Sequence, residues 1–533
     1  MDAAPETSPV SPQAPQDLRQ ILLEVHQRGG IELVLETVLS MISSLSGENR
    51  DLSFRLQKAL KALYGRRSER ISTSELQLVL QGLTPAVEAA FPPLDSAAPA
   101  ITPVAEIQSR KPHPGRRELP KNLPRERIVH KPEASDLVCD RCRRPKEKIG
   151  EEKSEVLEWV PGHFVVQEHA REKWVCRSCG EGVVIGPVAN KPVDQGLAGP
   201  GLLSQVVVSK YREQAPLNRQ VQIFRRSGVL LPVSTLADWV KESAGILEPV
   251  AGVIHERVVE SHVIQVDDTG LTVLDGTHPK GSKRGHLWAL VGDKVFVSYH
   301  YTPTWEQEGI QRILKDRVGW LQADGYKGYE KLFKEGRCVE VGCLSHARRY
   351  FVEALESGDA RSAVAVNWMN ALFAVERDAQ GLSAAQILDL RRDRSKPLYE
   401  KLGDWAKAVR PGVEPKSPLG AALTYLTNQW RALGRFLEDG LLELSNNGCE
   451  RALRVIAIGR KNWLFAGSDA AAARAATLYG VLGTAVLHGL DPWAYVRDLI
   501  QQIASGWPQR RLAELLPGPW MEAHPQALLL PPS

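Results

Sequence analysis

The stretch LQADGYKGY, residues 321–329, carries a single acid directly after a short apolar run. The apolar residues GWL, 319–321, indicate a buried strand, so Asp324 lies where that strand ends. An ionised carboxylate is costly to bury unless it is paired or binds a cation. An Asp-Gly turn would explain this residue by itself, unless another acid occupies a similar place elsewhere in the chain.

A second acid of this kind occurs in HVIQVDDTGLTVLD, residues 262–275, a β-branched run that contains Asp267 and Asp268. Two strand-like runs follow around a Gly-Asp turn at 292–293, and a helical stretch then leads to Asp324. Strand, hairpin, helix and strand in this order predict a ribonuclease-H-like core, a mixed β-sheet flanked by helices. In such a core the acids of adjacent strands meet, so Asp267 is the expected partner of Asp324.

Two carboxylates are few for binding divalent cations, so we expect a third acid. One occurs in SNNGCERALRVIAIGRKNWLF, residues 445–465. Asn446 and Asn447 are expected to end a loop and cap a helix, with Glu450 one turn inside it. Several cations follow Glu450, and others follow Asp324 in GCLSHARRYF, where a strand is predicted to lead into a helix. We expect these cations to contact phosphate: Arg348, Arg349, Arg451, Arg454, Arg460 and Lys461. His346 either orients a water or phosphate near the site or is a structural residue at the strand-to-helix junction.

Four of the seven cysteines form two C-x-x-C pairs, Cys139 with Cys142 and Cys176 with Cys179. Four thiolates from two such pairs can bind a tetrahedral structural Zn²⁺. A redox C-x-x-C would need only one pair, and the strand-like segment between the pairs is typical of a zinc ribbon. The other three cysteines, in a chain with too few for a disulfide scaffold, are expected to pack as small apolar side chains.

Composition predicts a soluble protein, because the 533 residues contain no apolar run long enough for a transmembrane helix and no secretory signal. The formal net charge is only +4, but residues 110–131 carry eight Lys or Arg against two Glu. A basic block of this kind suits a polyanion, and a solvated linker would give the same pattern.

Two helical patterns predict interactions with partners. Between residues 31 and 64, apolar residues recur as an a/d heptad with Asn49 at one a position, which predicts a coiled coil. An amphipathic helix packed on its own domain is the alternative. In LNRQVQIFRRSGVLLPVSTLADWVKE, from residue 217, a helix, a break at Gly228 and a second helix capped by Ser234 resemble a DNA-reading helix-turn-helix. Any αα-hairpin would give this second pattern.

These patterns divide the chain into consecutive regions. In order, they are a disordered N-terminus (1–17), a helical, leucine-zipper-like coiled-coil region (18–83), a Pro-rich basic linker (84–134), a zinc-binding module (135–188), a helical DNA-binding region (189–258), a catalytic core in two parts (259–351 and 441–500) that encloses a helical insertion (352–440), and a C-terminal segment (501–533). The expected fold class is multidomain α+β.

The ordered motifs of the chain resemble the transposases of the insertion sequence sixty-six family, which belong to the DDE group of bacterial transposases. The matching segments are LYGRRSER (63–70), IGEEKSEVLEWVPGHFVV (149–166), VDDTG (266–270), LQADGYKGY (321–329), GCLSHARRYF (342–351), NNGCERALR (446–454), GRKNWLFAGS (459–468), GLDPWAYV (489–496) and LLPGPW (515–520). Together they span most of the chain, and their number and order make the resemblance specific.

The resemblance implies a catalytic triad of Asp267, Asp324 and Glu450 that binds two Mg²⁺ or Mn²⁺ ions, with Asp268, His346 and Asn447 as auxiliary candidates. It implies DNA as the partner, both terminal inverted repeats and target DNA, in the cytoplasm and nucleoid of a bacterium, with no membrane. A homo-oligomer through the N-terminal coiled coil and small accessory proteins of the element are further expectations. The activity implied is metal-dependent cleavage at the element ends and transfer of the freed 3′-hydroxyl into target DNA.

The chain departs from the family pattern at two places. Asp267-Asp268-Thr269-Gly270 stands where the family commonly has Asp-Glu-Thr-Pro, and the Asp-x-Thr frame favours Asp267 as the metal ligand. Residues 483–486 and 488–490 read GTAV and HGL, where the family usually has ETAK and NGL. Two rival functions stay open on the sequence: a ribonuclease-H-like nuclease without strand transfer, and a zinc-containing DNA-binding regulator whose acids are structural.

Overall fold

The computed structural model describes residues 30–32, 34–40, 162, 164–167, 173–174, 184–185, 191–193 and 196–525. The chain divides into two compact units, residues 87–186 and residues 1–86 together with 187–533. Of the predicted coiled-coil region, residues 30–32 and 34–40 are described and are helical. The rest of that region and the linker 84–134 lie outside the described residues.

In the smaller unit, two short strands are described, β1 (Lys173–Trp174) and β2 (Val184–Ile185). They pair antiparallel, with residue 173 opposite 185 and residue 174 opposite 184. The four cysteines predicted to bind zinc lie outside the described residues.

A five-stranded mixed sheet forms the centre of the larger unit. Its strands are β3 (Val263–Leu274), β4 (Ser282–Gly292), β5 (Phe296–Thr302), β6 (Gly319–Gln322) and β7 (Cys338–Val341). Their order across the sheet is β5-β4-β3-β6-β7. The pairs β3–β4 and β4–β5 are antiparallel, whereas β3–β6 and β6–β7 are parallel. With its many helices, this sheet confirms the α+β class.

The α-helices of the larger unit surround this sheet and extend away from it. From residue 200 onward they are α1 (Pro200–Tyr211), α2 (Leu217–Arg226), α3 (Val233–Glu260), α4 (Gln307–Ile313), α5 (Glu330–Lys334), α6 (Leu344–Glu356), α7 (Ser362–Asp378), α8 (Ala384–Leu390), α9 (Lys396–Val409), α10 (Pro418–Asn428), α11 (Trp430–Gly434), α12 (Asn447–Trp463), α13 (Asp469–Leu487), α14 (Pro492–Ala504) and α15 (Pro517–Ala523). The predicted order of strand, hairpin, helix and strand is confirmed by β3, β4–β5, α4 and β6.

The start of α3 differs from the prediction. The helix begins at Val233 with Pro232 at the N-cap position, and no side chain caps it. Ser234 is therefore already helical, and its prediction as the N-cap is wrong. Pro232 is extended, with φ −74° and ψ 154°, and the helix follows it directly, one residue before Ser234. The predicted break at Gly228 is confirmed, because its φ of +81° favours glycine.

One face of the sheet carries the apolar core. Ile264 and Val266 of β3 and Trp288 and Leu290 of β4 are all fully buried and pack with Ile310 of α4. The alternation of a strand sends the intervening residues of β3 to the opposite face. The β-branched run of β3 therefore places one row of side chains in the apolar core. The other row, which includes Gln265 and Asp267, carries polar groups on the opposite face.

Helices α12 and α13 cover the face that carries Asp267. Tyr299 of β5 donates a hydrogen bond from its hydroxyl to the carbonyl of Ala452 in α12, at 2.8 Å. Thr484 of α13 bonds the edge strand through its side chain, accepting from the N–H of Val297 at 3.1 Å and donating to its carbonyl at 3.0 Å. A helix side chain thus takes the place of a further strand beside β5.

Among the described residues, α13 is the one helix whose length and apolar composition would suffice to cross a membrane. Of its apolar window, 56% is buried. The helix packs on β5 and α3, so in this structure its apolar surface belongs to the core of the larger unit.

Arg317 is a buried cation, 1% exposed, that ties the end of α3 to β6. Its guanidinium donates to the carbonyl of Val259 at 3.1 Å, to that of His262 at 2.8 Å and to that of Trp320 at 2.6 Å. The carbonyl of Ser261 accepts a further bond. We predict that Arg317→Met lowers the free energy of unfolding by about 3 kcal/mol, because buried carbonyls lose their donors. Urea unfolding followed by fluorescence measures this change.

Arg257→Met is the matched control, because Arg257 makes an ion pair at 2.8 Å with Glu260 in which the side chains are 47% and 63% exposed. Such a pair contributes less than about 1 kcal/mol. Equal destabilisation by the two substitutions would contradict the role assigned to Arg317.

Candidate active site

Asp267 and Asp324 come from neighbouring parallel strands at matching positions. In the β3–β6 register, Gln265 lies opposite Gln322, and each acid follows its glutamine by two residues. Backbone N–H groups orient both acids: that of Asp268 donates to Asp267 Oδ1 at 2.8 Å, and that of Tyr326 to Asp324 Oδ1 at 3.0 Å. The register of the sheet therefore brings together the two acids that the sequence paired.

Glu450 lies in the first turn of α12, as predicted, and its neighbour fastens that turn to the sheet. The Cys449 N–H donates to Gln265 Oε1 at 3.2 Å, and its thiol to the carbonyl of Ala289 at 3.1 Å. Ala289 is the cross-strand partner of Asp267. The first turn of α12 thus begins on the part of the sheet that carries Asp267.

Negative charge is concentrated around Asp267. Burial, together with the charges of Asp324, Asp268 and Glu450, raises the pKa of Asp267 to about 7, against the opposing effect of the hydrogen bond from the Asp268 N–H. A carboxyl whose pKa is raised in this way favours its protonated form until a cation offsets the negative charge. The three predicted acids therefore interact electrostatically.

The Glu450 carboxylate is held loosely on its other side. Its Oε1 lies 3.9 Å from His346 Nε2 and 3.9 Å from Arg349 Nη2, both on α6. Neither distance is that of a hydrogen bond. Within residues 196–525, no three His, Cys, Asp or Glu side chains are close enough together to hold one ion. The acids supply the oxygen donors that Mg²⁺ prefers, so the donor set fits a divalent cation, and binding requires the carboxylates to draw closer.

Asp268 differs from Asp267 in its partners. Its Oδ2 lies 2.5 Å from His286 Nδ1, and its Oδ1 accepts a hydrogen bond of 3.1 Å from the indole N–H of Trp305. Side chains therefore bind both carboxylate oxygens of Asp268. Asp267 instead accepts a hydrogen bond from a backbone N–H.

The predicted cations fall into two groups. Three have protein partners: Arg348 donates to Asn370 Oδ1 at 2.9 Å, Arg349 faces Glu450, and Arg460 donates to the carbonyl of Gly270. The others, Arg451, Arg454 and Lys461, lie on the exposed side of α12. Their spacing of three and seven residues forms one stripe along the helix.

The helix start at α12 differs in part from the prediction. Asn446 occupies the N-cap position and Asn447 is the first helical residue, but the Asn446 side chain makes no capping bond. Asn446 is instead fully buried, and neither polar atom of its side chain has a hydrogen-bond partner. Its backbone N–H approaches the sulfur of Cys343 at 3.4 Å. The helix therefore begins where Asn446 is buried beside Cys343, the residue that precedes α6, and not at a side-chain cap.

Gln265 and Gln322 are site residues that the sequence interpretation missed. The Gln265 amide donates to Gln322 Oε1 at 3.0 Å and to Glu443 Oε2 at 2.6 Å, and Gln322 donates to the Glu443 carbonyl at 2.6 Å. The pair thus holds the loop that leads into Glu450. The repeated pattern Gln-x-Asp, in QVD and QAD, could have revealed them, because residues two apart share a face of a strand.

Three glycines of the motifs are explained by close neighbours. A Cβ at Gly448 would collide with the amide oxygen of Gln265, and one at Gly270 with the guanidinium of Arg284. A Cβ at Gly483 would lie 2.7 Å from Val297 Cγ1, so this glycine permits the close approach of α13 to β5.

Four family models match the chain. The model described as "Transposase IS66 family" covers residues 195–474, and the zinc-finger binding domain of the IS66 transposase covers residues 136–180. "Transposase C of IS166 homeodomain" covers residues 51–128, and the IS66 C-terminal element covers residues 481–518. The zinc-finger match includes all four cysteines of the C-x-x-C pairs and supports Zn²⁺ binding there.

Several relatives from Sinorhizobium fredii are similar over most of their length. The uncharacterized protein y4hP is 33% identical over 505 residues, which is 90% of each chain. The uncharacterized protein y4jD is 32% identical over 75% of this chain and 81% of its own length, and the uncharacterized protein y4qI is 32% identical over 78% and 81%. The resemblance in the motifs is thereby confirmed, and the chain belongs to the IS66 family of transposases.

Proposed function

We propose that this protein cleaves DNA at the ends of its insertion sequence by metal-dependent hydrolysis and joins the freed 3′-hydroxyl to target DNA. Asp267, Asp324 and Glu450 are the proposed catalytic acids. We further propose that the core is ribonuclease-H-like, which the strand order β5-β4-β3-β6-β7 supports. Three antiparallel strands followed by two parallel ones bring the first and the fourth strand of the core together, and these carry Asp267 and lead to Asp324.

The observation that carries the proposal is the pairing of β3 with β6, in which Asp267 and Asp324 each lie two residues beyond a matched pair of glutamines, with the Glu450 turn bound to Gln265. Burial and the charges of Asp324, Asp268 and Glu450 also raise the pKa of Asp267 to about 7. A regulator with structural acids would gain nothing from uncompensated negative charge, which destabilises its fold. A phosphodiester-cleaving enzyme gains a cation site. Asp267, Asp324 and Glu450 would hold two Mg²⁺ or Mn²⁺ ions, which would supply activation of the attacking oxygen and stabilisation of the leaving one.

Other groups of the protein orient the three acids. The backbone N–H groups of Asp268 and Tyr326 orient the carboxylates of Asp267 and Asp324. His346 and Arg349 face the Glu450 carboxylate from α6, each at 3.9 Å, a distance for electrostatic attraction but not for a hydrogen bond. Asp267 rather than Asp268 is the proposed ligand, because Asp268 is already bound by His286 and Trp305.

The exposed stripe of Arg451, Arg454 and Lys461 starts one residue after Glu450. We propose that it contacts the phosphates of the DNA end, because cations beside a cleavage site neutralise the backbone that must approach the acids. Arg348, Arg349 and Arg460 have a secondary role in this proposal, since each contacts a protein group. A homo-oligomer formed by the N-terminal helices and accessory proteins of the element complete the proposed assembly.

Labelled duplexes that carry the element's terminal repeats, incubated with a supercoiled plasmid and Mg²⁺, test the function. The expected result is nicking at the repeat ends followed by labelled plasmid. Nicking without joining would show a nuclease that does not transfer strands. Sequence-specific binding without either product would show a regulator.

A further inference from the structure

A hydrogen-bonded strap crosses the acidic end of the sheet. Trp305, in the loop between β5 and α4, donates its indole N–H to Asp268 Oδ1 at 3.1 Å. The Trp305 carbonyl accepts a bond of 2.6 Å from the hydroxyl of Tyr326. Because the Tyr326 N–H binds Asp324, this chain of contacts links the segment of Asp267 and Asp268 to the segment of Asp324.

Ring stacking fixes the same loop. The Trp305 ring stacks on Tyr326 with centroids 4.6 Å apart and an interplanar angle of 16°. It also stacks on His286, at 5.7 Å and 13°, and His286 contacts the second oxygen of Asp268. Trp305 is 51% exposed, yet two rings and two hydrogen bonds hold it in place. Burial of its own apolar surface does not explain so many contacts.

We propose that Trp305 and Tyr326 are positioning residues that set the separation of Asp267 and Asp324 for metal binding; this inference rests on the proposed function. The strap acts at both ends through the backbone. Holding Asp268 fixes the N–H that orients Asp267, and holding Tyr326 fixes the N–H that orients Asp324. Groups that orient metal ligands typically change metal affinity by about 10- to 100-fold when they are lost.

Trp305 and Tyr326 do not touch the ion in this proposal. Their effect must therefore appear in metal affinity and not in DNA affinity. A merely structural strap would instead lower thermal stability and leave the affinity for the ion unchanged.

The test uses the full chain and Mn²⁺, with free Mn²⁺ measured by electron paramagnetic resonance in the absence of DNA. Trp305→Phe keeps a stacking ring and removes the indole donor, and Tyr326→Phe keeps its ring and removes the hydroxyl. Each substitution is expected to weaken Mn²⁺ binding about tenfold and to raise the Mn²⁺ concentration for half-maximal nicking equally. Because both act through one strap, the double variant is expected to resemble each single variant, with DNA affinity in EDTA unchanged.

Trp507→Phe is the control, because the Trp507 indole donates to the carbonyl of Arg511 at 3.1 Å within the C-terminal segment. It is expected to bind Mn²⁺ like the wild type. Wild-type Mn²⁺ affinity in Trp305→Phe and Tyr326→Phe, whatever their melting temperatures, would overturn the positioning role and leave the proposed function intact. A wild-type protein that neither binds Mn²⁺ nor nicks DNA would overturn the proposed function, and the strap's role with it.

Discussion

Asp324→Asn is expected to abolish strand cleavage and joining while making the metal-free protein more stable. Loss of one acid from a two-ion site removes several kcal/mol of transition-state stabilisation, and about 4 kcal/mol corresponds to about a thousandfold in rate. The asparagine keeps the size of the side chain and its capacity to accept the Tyr326 N–H. Gel assays of nicking and joining measure the first effect, and urea unfolding in EDTA measures the second.

The gain in stability follows from the pKa of Asp267. Its folded-state value, about 7, lies above its ordinary value of 3.8, so folding binds a proton at this group. Its contribution to stability is therefore complete below pH 4 and is lost as the pH rises through 7. Without the charge of Asp324, this pKa falls, and Asp324→Asn should be more stable than the wild type by about 1 kcal/mol at pH 8. At pH 4 this advantage should disappear.

Asp238→Asn provides the control, since Asp238 is an exposed acid on α3. It should change neither nicking nor the pH dependence of unfolding. Retained cleavage by Asp324→Asn would remove this acid from the proposed site. Loss of cleavage together with loss of DNA binding would instead indicate a misfolded protein, which the unfolding curve identifies.

Removal of zinc is expected to unfold the module at residues 135–185. Four thiolates bind structural Zn²⁺ with about 10–16 kcal/mol of free energy that is coupled to folding, which exceeds the stability of a domain of this size. Cys176→Ser should reduce the zinc content from one ion per chain to nearly none and expose the module to limited proteolysis. Mass spectrometry of the metal and of the proteolytic fragments measures both.

Cys338→Ser is the matched control, because Cys338 is a buried free cysteine of the larger unit. Its zinc content should equal that of the wild type. Full zinc content in Cys176→Ser, or circular dichroism unchanged by a strong zinc chelator, would contradict the zinc-ribbon interpretation.

Local pattern was sufficient to predict the strands that carry the site. The β-branched run around Asp267, the turn after Gly292 and the apolar residues before Asp324 each indicate their own structure, because strands and turns depend on neighbouring residues. Pattern misjudged helix starts, where Pro232 rather than Ser234 precedes α3 and the Asn446 side chain is buried instead of capping α12. Whether a side chain caps a helix depends on the residues that the helix end packs against. The spacing of residues in the sequence carries no information about that packing.

The sequence by itself determined the family, the α+β class, the order of the core strands and which acids to compare, because motifs and hydrophobic alternation are properties of short segments. Only the tertiary structure decided how the acids relate to one another. The parallel register of β3 and β6 sets Asp267 beside Asp324, the glutamines 265 and 322 hold the loop before Glu450, and Trp305 binds Asp268. These contacts join residues up to 178 positions apart, and such pairings depend on packing and charge in three dimensions.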